Sequence, residues 1–279
     1  MTRIERPPLP VSEQQLARQL TRMQRKVKQP PYLESVPRAV NIGYRSAIKA
    51  SGIADFLGKR DEVGWLLRRG VQWGVGLYQI CSSDHGSSEV AVDGQIFCVP
   101  NIGPDSLAGS LAWLEALCIA WLVRDQRSAQ QLGAIDLDVP NAPLPGVETE
   151  PYVRVVTEAF AAYANGESVA LATAERARAL TRPEALTFQE PGIAEGRFGA
   201  SLDILIALLR DDEGQFVAAV RKAVASHAAY IIDFDRTHRE DLLLPWIILG
   251  LAARGVDRGW KIEVDSDYFP GWLVYGEAG

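Results

Sequence analysis

Cysteine and histidine are both scarce in this chain, three of each among 279 residues. No Cys-x-x-Cys pair occurs, and an odd number of thiols in apolar surroundings reads as buried free cysteines (Cys81, Cys98, Cys118) rather than a disulfide framework or a zinc site. No apolar run is long enough to span a bilayer, and Met1 opens no signal-peptide pattern, so the chain is predicted to be cytoplasmic with no membrane partner. Equally absent are a Walker A loop, a dinucleotide fingerprint, a Gly-x-Ser-x-Gly elbow and a His-Glu-x-x-His helix. Ser83, Asp84 and His85 are adjacent in sequence, but a nucleophilic triad is a spatial arrangement, and a polar loop explains them. No nucleotide cofactor, metal or catalytic residue is therefore assigned.

Positive charge is in deficit, with 29 Lys and Arg against 35 Asp and Glu, a net charge of -6. The imbalance is uneven. Up to Lys28 basic residues dominate, leaving a body that is strongly acidic. Such a body repels nucleic acid and anionic lipid and favours a cationic partner, while the basic N-terminal run reads as a solvated helical face rather than an RNA-binding arm.

What the chain does contain is helical periodicity. Ser12 and Gln15 form a capping-box pattern before a helix to about Lys28 with Leu16, Leu20, Met23 and Val27 inward. Pro30 and Pro31 break it, and a second helix is expected over 34–51, stopped by Gly52. A third, over 61–80, carries Gly64, Gly70, Gly74 and Gly76, which allow close approach of neighbours. Across 89–100, β-branched residues flank Asp93-Gly94, the dipeptide of a two-residue type I′ turn, so a β-hairpin is predicted. The segment 106–124 is apolar over most of its circumference and should be a central buried helix.

Further helices are expected over 150–165, 169–180, 200–210 and 215–234. The fold class is mainly α, with antiparallel helical hairpins in an array or bundle, one small β-hairpin and a short extended C-terminal segment. Three prolines within 136–149 make that stretch a linker candidate, so one domain over 1–279 could divide into packed halves, 1–135 and 149–279. No fixed repeat period is present.

Chemistry concentrates near the end of the chain. His227 lies on the stripe Phe216, Val220, Val224, His227, Ile231, Phe234 and so faces the core. Asp233, Asp235 and His238 could be drawn with His227 as a metal site of a hydrolase, but Asp233 and Asp235 diverge by about 200° if helical. Glu240 and Asp241 suit the first turn of a following helix, over 242–253. In the extended segment Glu263 to Asp267, Asp265 and Asp267 project to the same face.

The residues Leu243-Leu244-Pro245, the apolar run 247–253, Arg254-Gly255, then Ile262 to Pro270 (IEVDSDYFP) with Trp272-Leu273, resemble the immunity protein 49 family of bacterial polymorphic toxin systems. His227 upstream also fits. The specific resemblance covers about the last fifty residues, and the hairpin at Asp93-Gly94 has no counterpart in it. It implies a non-enzymatic protein that binds and neutralises a cognate toxin domain, and the acidic body suits a toxin with a cationic active-site surface. Asp235, Glu240, Asp241, Glu263, Asp265 and Asp267 are the expected contact residues. A metal-dependent hydrolase and a helical adaptor with a peptide groove are the other readings.

Overall fold

The computed structural model describes residues 3–28, 37–143, 146 and 148–277. The chain is mainly helical, with one two-stranded antiparallel sheet among the described residues. Helix α1 (Glu13–Lys28) starts at the expected capping box: the Ser12 amide donates to Gln15 Oε1 at 2.9 Å, and the Gln15 amide returns a bond to Ser12 Oγ at 3.3 Å. The predicted break at Pro30-Pro31 and a helix start at Glu34 lie outside the described residues.

Helix α2 (Ala39–Phe56) does not stop at Gly52. It continues through that position because a bare backbone there lets the distant turn at Glu240 pack close, with a Cβ falling 3.1 Å from the Glu240 carbonyl. The stop comes at Gly58, whose φ of 72° allows a Schellman motif: Lys59 N–H to the Ala54 carbonyl at 2.8 Å and Gly58 N–H to the Asp55 carbonyl at 2.9 Å. Helix α3 (Arg60–Cys81) then folds back antiparallel on α2. Trp73 at its centre is fully buried and donates its indole N–H to the Val27 carbonyl of α1 at 3.0 Å.

Strands β1 (Ser87–Val92) and β2 (Gln95–Pro100) form the predicted hairpin, with Asp93 at φ 54° and Gly94 at φ 78° as a type I′ turn requires. It lies on α3, where Val90 occupies the space that a side chain at Gly76 would fill. Cys98 corrects one expectation. It is exposed, on the outward face of β2, whereas Cys81 and Cys118 are buried free thiols.

Helix α4 (Ser110–Leu122) follows a 3₁₀ turn, Ser106–Ala108, and is the expected buried helix. Tyr44 and Tyr78 donate their hydroxyls to the carbonyls of Ala112 and Gly109, tying α2 and α3 to its first turn. A short helix α5 (Gln126–Gly133), not predicted, is capped by Asp125, which accepts from the Ser128 amide at 3.0 Å. The proline-rich stretch packs inward in part: Val139 is buried, and Asn141 donates to Thr157 Oγ1 at 2.8 Å.

Helices α6 (Pro151–Ala164) and α7 (Ala170–Leu180) make one antiparallel pair. A short helix α8 (Pro191–Ala194) runs into a π turn, Glu195–Gly199, and then α9 (Ala200–Leu209). Helix α10 (Glu213–Asp233), capped by Asp212 on the Gln215 amide, pairs with α9 across a turn in which Asp211 has φ 55°. A 3₁₀ turn (Glu240–Leu242) precedes α11 (Trp246–Val256), which therefore begins four residues later than its apolar sequence suggests, after Pro245. The helix also continues through Arg254-Gly255, and Phe216 packs over the bare Gly255. At Gly250, α11 rests directly on the Cys118 backbone of α4.

The C-terminal segment is extended and then closes with α12 (Gly271–Val274). It meets the start of the chain in a parallel bridge, Ile4 with Ser266, through Ile4 N–H to the Asp265 carbonyl at 3.1 Å and Asp267 N–H to the Ile4 carbonyl at 3.0 Å. Tyr268 and Phe269 are buried, and Tyr275 brackets Ile262 by accepting from its amide and donating to its carbonyl. This aromatic closure seals α10 and α11.

Candidate functional site

The six acids singled out in the sequence separate by environment. Asp235, which follows α10 with φ 49°, is exposed, as are Glu263 and Asp265. Glu240 is partly covered, with Lys49 of α2 at 3.8 Å. Asp241 is buried and held by Arg239 through two bonds of 2.8 and 2.5 Å. Burial would raise its titration, but the guanidinium outweighs that and holds the carboxyl below the usual range.

Asp267 meets the start of the chain. Arg3 pairs with it at 2.6 Å, the Arg6 amide donates to it at 3.1 Å, and the Arg6 guanidinium reaches the Asp267 carbonyl and Asp55. Despite the cost of desolvation, these donors hold the Asp267 carboxyl below its ordinary value. Asp265 and Asp267 thus differ in environment although they are two apart in extended chain: one is open to solvent and the other is engaged by arginine. Two of the N-terminal basic residues are accordingly structural partners and not part of the α1 face.

His227 faces inward as its spacing predicts. Its Nε2 lies 3.0 Å from the Leu242 carbonyl, a contact in which the ring donates, and Tyr268 meets the ring edge-on at a centroid distance of 5.2 Å. Burial, with Arg6 adding repulsion, lowers its pKa to about 4, so the ring is neutral at pH 7. Among the described residues no group of three or more His, Cys, Asp and Glu side chains is disposed to hold a metal ion, the hydrolase grouping of Asp233, Asp235, His227 and His238 included.

The structure adds a site that sequence reasoning missed. A small cleft of about 60 Å³ is lined by Glu115 of α4, Arg197 of the π turn, His227 and Tyr230 of α10, Asp241, and Trp246 of α11. Glu115 has only 12% of its side chain exposed and is paired with Arg45 at 3.3 Å. Burial dominates its titration, and its pKa rises to about 7 even against Arg45 and Arg197. The signal was present in the sequence: Glu115 is the lone charged residue in the apolar run Ser110–Leu122. The cleft opens beside a larger groove of about 700 Å³ between α2, α4 and α6, and Leu111 and Arg197 line both.

A family model for immunity protein 49 matches residues 60–273. The chain belongs to the immunity protein 49 family. The match is far wider than the last fifty residues and includes the hairpin for which the sequence comparison had offered no counterpart. All six acids and the cleft residues Glu115, Arg197 and Trp246 lie within it. By contrast Arg3, Arg6, Arg45 and Lys49, which pair with Asp267, Glu115 and Glu240, precede the matched stretch. Neither a curated protein nor a solved structure matches the chain.

Proposed function

We propose that this immunity-family protein binds a cognate bacterial toxin domain in the cytoplasm and neutralises it by covering its working surface, with no chemistry of its own. Membership of the immunity protein 49 family over residues 60–273 carries the reading. The acidic balance, net -6, supports it, because a toxin with a cationic cleft is drawn to an acidic surface by long-range steering.

The contact region is assigned to Asp235, Glu240, Asp241, Glu263, Asp265 and Asp267. Within it the exposed Asp235, Glu263 and Asp265 meet the partner, while Asp241 and Asp267, already engaged by arginines, hold the backbone that presents them. Co-expression with the product of the neighbouring toxin gene tests the function: growth should be rescued and the two proteins should co-purify. Failure of both overturns the reading. The combined variant Asp235→Asn, Glu263→Gln, Asp265→Asn should slow association about tenfold or more at low salt without lowering Tm. An unchanged association rate would move the contact surface elsewhere.

A further inference from the structure

The β1–β2 hairpin carries an edge to which nothing is paired. Val90 and Val92 bond across to Phe97 and Gln95, so the N–H and C=O groups of Glu89 and Ala91 point away from β2. The Asn101 amide, donating to the Gly86 carbonyl at 3.0 Å, continues the same alternation. Among the described residues the outward groups of Glu89 and Ala91 have no hydrogen-bond partner. Natural sheets blunt such an edge with Lys, Pro or a bulge. Strand β1 (SSEVAV) has none of these: its six residues pair with β2 in unbroken register, and Glu89 is its one charge.

The edge faces a groove. Strand β1 lies along α3, where Ser88 Oγ donates to the Gln79 carbonyl at 3.3 Å, Val90 covers Gly76, and the Asp93 amide donates to Gln72 Oε1 at 2.9 Å. Strand β2 lies to the Trp73 side, since Phe97 meets that ring at 5.8 Å. Helical spacing puts Val75 on the flank of Gly76 opposite Trp73, and the free edge of β1 looks that way. There Val75 floors a groove of about 670 Å³, with Glu89 and Ala91 on one wall and Arg127 and Gln131 of α5 on the other.

We infer that this edge takes an extended segment of the cognate toxin domain as a third strand, its main chain exchanging hydrogen bonds with Glu89 and Ala91. The inference rests on the toxin reading above and adds a second contact to the acids assigned there. In strand addition the main chain supplies affinity, and alternate side chains supply the choice of partner. On the outer face Ala91 and Ile96, the latter 66% exposed, stand in one cross-strand row, so the toxin residue opposite Ala91 is apolar. Two positions along, Glu89 has no ion pair among the described residues and selects Lys or Arg. The residue between these two turns inward onto Val75 and is apolar. A second copy of this protein is the poorer fit. Pairing β1 with β1 sets Glu89 opposite or diagonal to its own copy, a like-charge contact between two chains of net charge -6.

Amide hydrogen exchange of the full chain, followed by NMR with and without the purified toxin domain encoded beside it, reads the edge directly. In the free protein the Glu89 and Ala91 amides should exchange fast, while those of Val90 and Val92 are protected by β2. In the complex Glu89 and Ala91 should slow about tenfold or more. Ala91→Pro removes an outward N–H and leaves the β1–β2 bonds in place, so toxin affinity should fall about tenfold or more. Cys98→Pro makes the same change on the outer edge of β2 and should bind as the natural protein does.

A toxin domain that binds while Glu89 and Ala91 exchange as fast as before, undiminished affinity in Ala91→Pro, or an equal loss in Cys98→Pro overturns strand addition and leaves the toxin reading standing. Protection of the two amides in the free protein that grows with protein concentration gives the edge to a second copy, and overturns it too. A toxin domain that does not bind the natural protein at all overturns both readings. Should Ala91→Pro fail to fold, the exchange measurement decides alone.

Discussion

Replacing Glu115 by glutamine should stabilise the protein, by an amount that depends on pH in a defined way. Burial raises the folded pKa of Glu115 from 4.5 to about 7, with Arg45 and Arg197 only partly offsetting it and Asp241 adding to it. Between these values the folded state holds a proton that the unfolded state has released, so stability falls as pH rises. At about 1.4 kcal/mol per pH unit, the full loss above pH 7 is about 3 kcal/mol. His227 works in the opposite sense. Its pKa is lowered from 6.5 to about 4, so the folded state carries fewer protons in that interval and stability rises with pH through it, again by about 3 kcal/mol.

From about pH 4.5 to 6.5 the two slopes nearly cancel in the natural protein. Glutamine at 115 keeps the shape and removes one of them. The gain over the natural protein should be near zero below about pH 4.5 and about 3 kcal/mol above pH 7, and the variant alone should become more stable as pH rises to 6.5. Urea unfolding followed by circular dichroism, with the m-value held constant, measures this directly. A gain that does not vary with pH would refute the reasoning, since it would mean that the Glu115 carboxylate is as well solvated in the folded chain as in the unfolded one. A loss at neutral pH would mean that the pairing with Arg45 outweighs desolvation.

Two further outcomes follow from packing and pairing elsewhere. Gly250→Ala places a methyl on the Cys118 backbone, which cannot rotate away, and should cost about 1–3 kcal/mol, read as a lowered urea midpoint; an unchanged midpoint would mean that α4 and α11 are less closely apposed than described. Arg6→Ala leaves Asp55 without its 2.8 Å partner in a site that already raises its pKa by burial. The cost should be about 3 kcal/mol at neutral pH and shrink as pH falls and Asp55 takes up a proton, with Asp55→Asn restoring part of it; a cost that is unchanged at low pH would rule out the buried carboxylate as its cause.

Much of the helical architecture was legible in the sequence because its signals are local. The Ser12 and Gln15 reciprocal cap, the Asp93-Gly94 turn and the inward stripe of α10 each depend on residues only a few positions apart, and each appears as expected. Local signals failed where a distant neighbour had the stronger claim. Gly52 looked like a stop, but it is kept helical by the packing of α2 against the turn at Glu240, and Gly58 ends the helix instead. Cys98 looked buried because its neighbours are apolar, yet it lies on the outer face of β2 while Val99 faces inward.

The site followed the same division. Sequence alone determined that the chain is acidic, mainly helical and related at its end to immunity proteins, and that His227 faces the core. Only the tertiary structure decided which carboxylates are free. Arg3 reaches Asp267 across 264 positions and Arg6 reaches Asp55 across 49, separations over which no periodicity in the sequence can pair one charge with another. The same holds for the cleft: Glu115, Arg197 and Trp246 come from three separate elements, and their meeting depends on how α4, the π turn and α11 pack. A charge is costly or useful according to the solvent and counter-charges around it, and packing, not sequence position, supplies both.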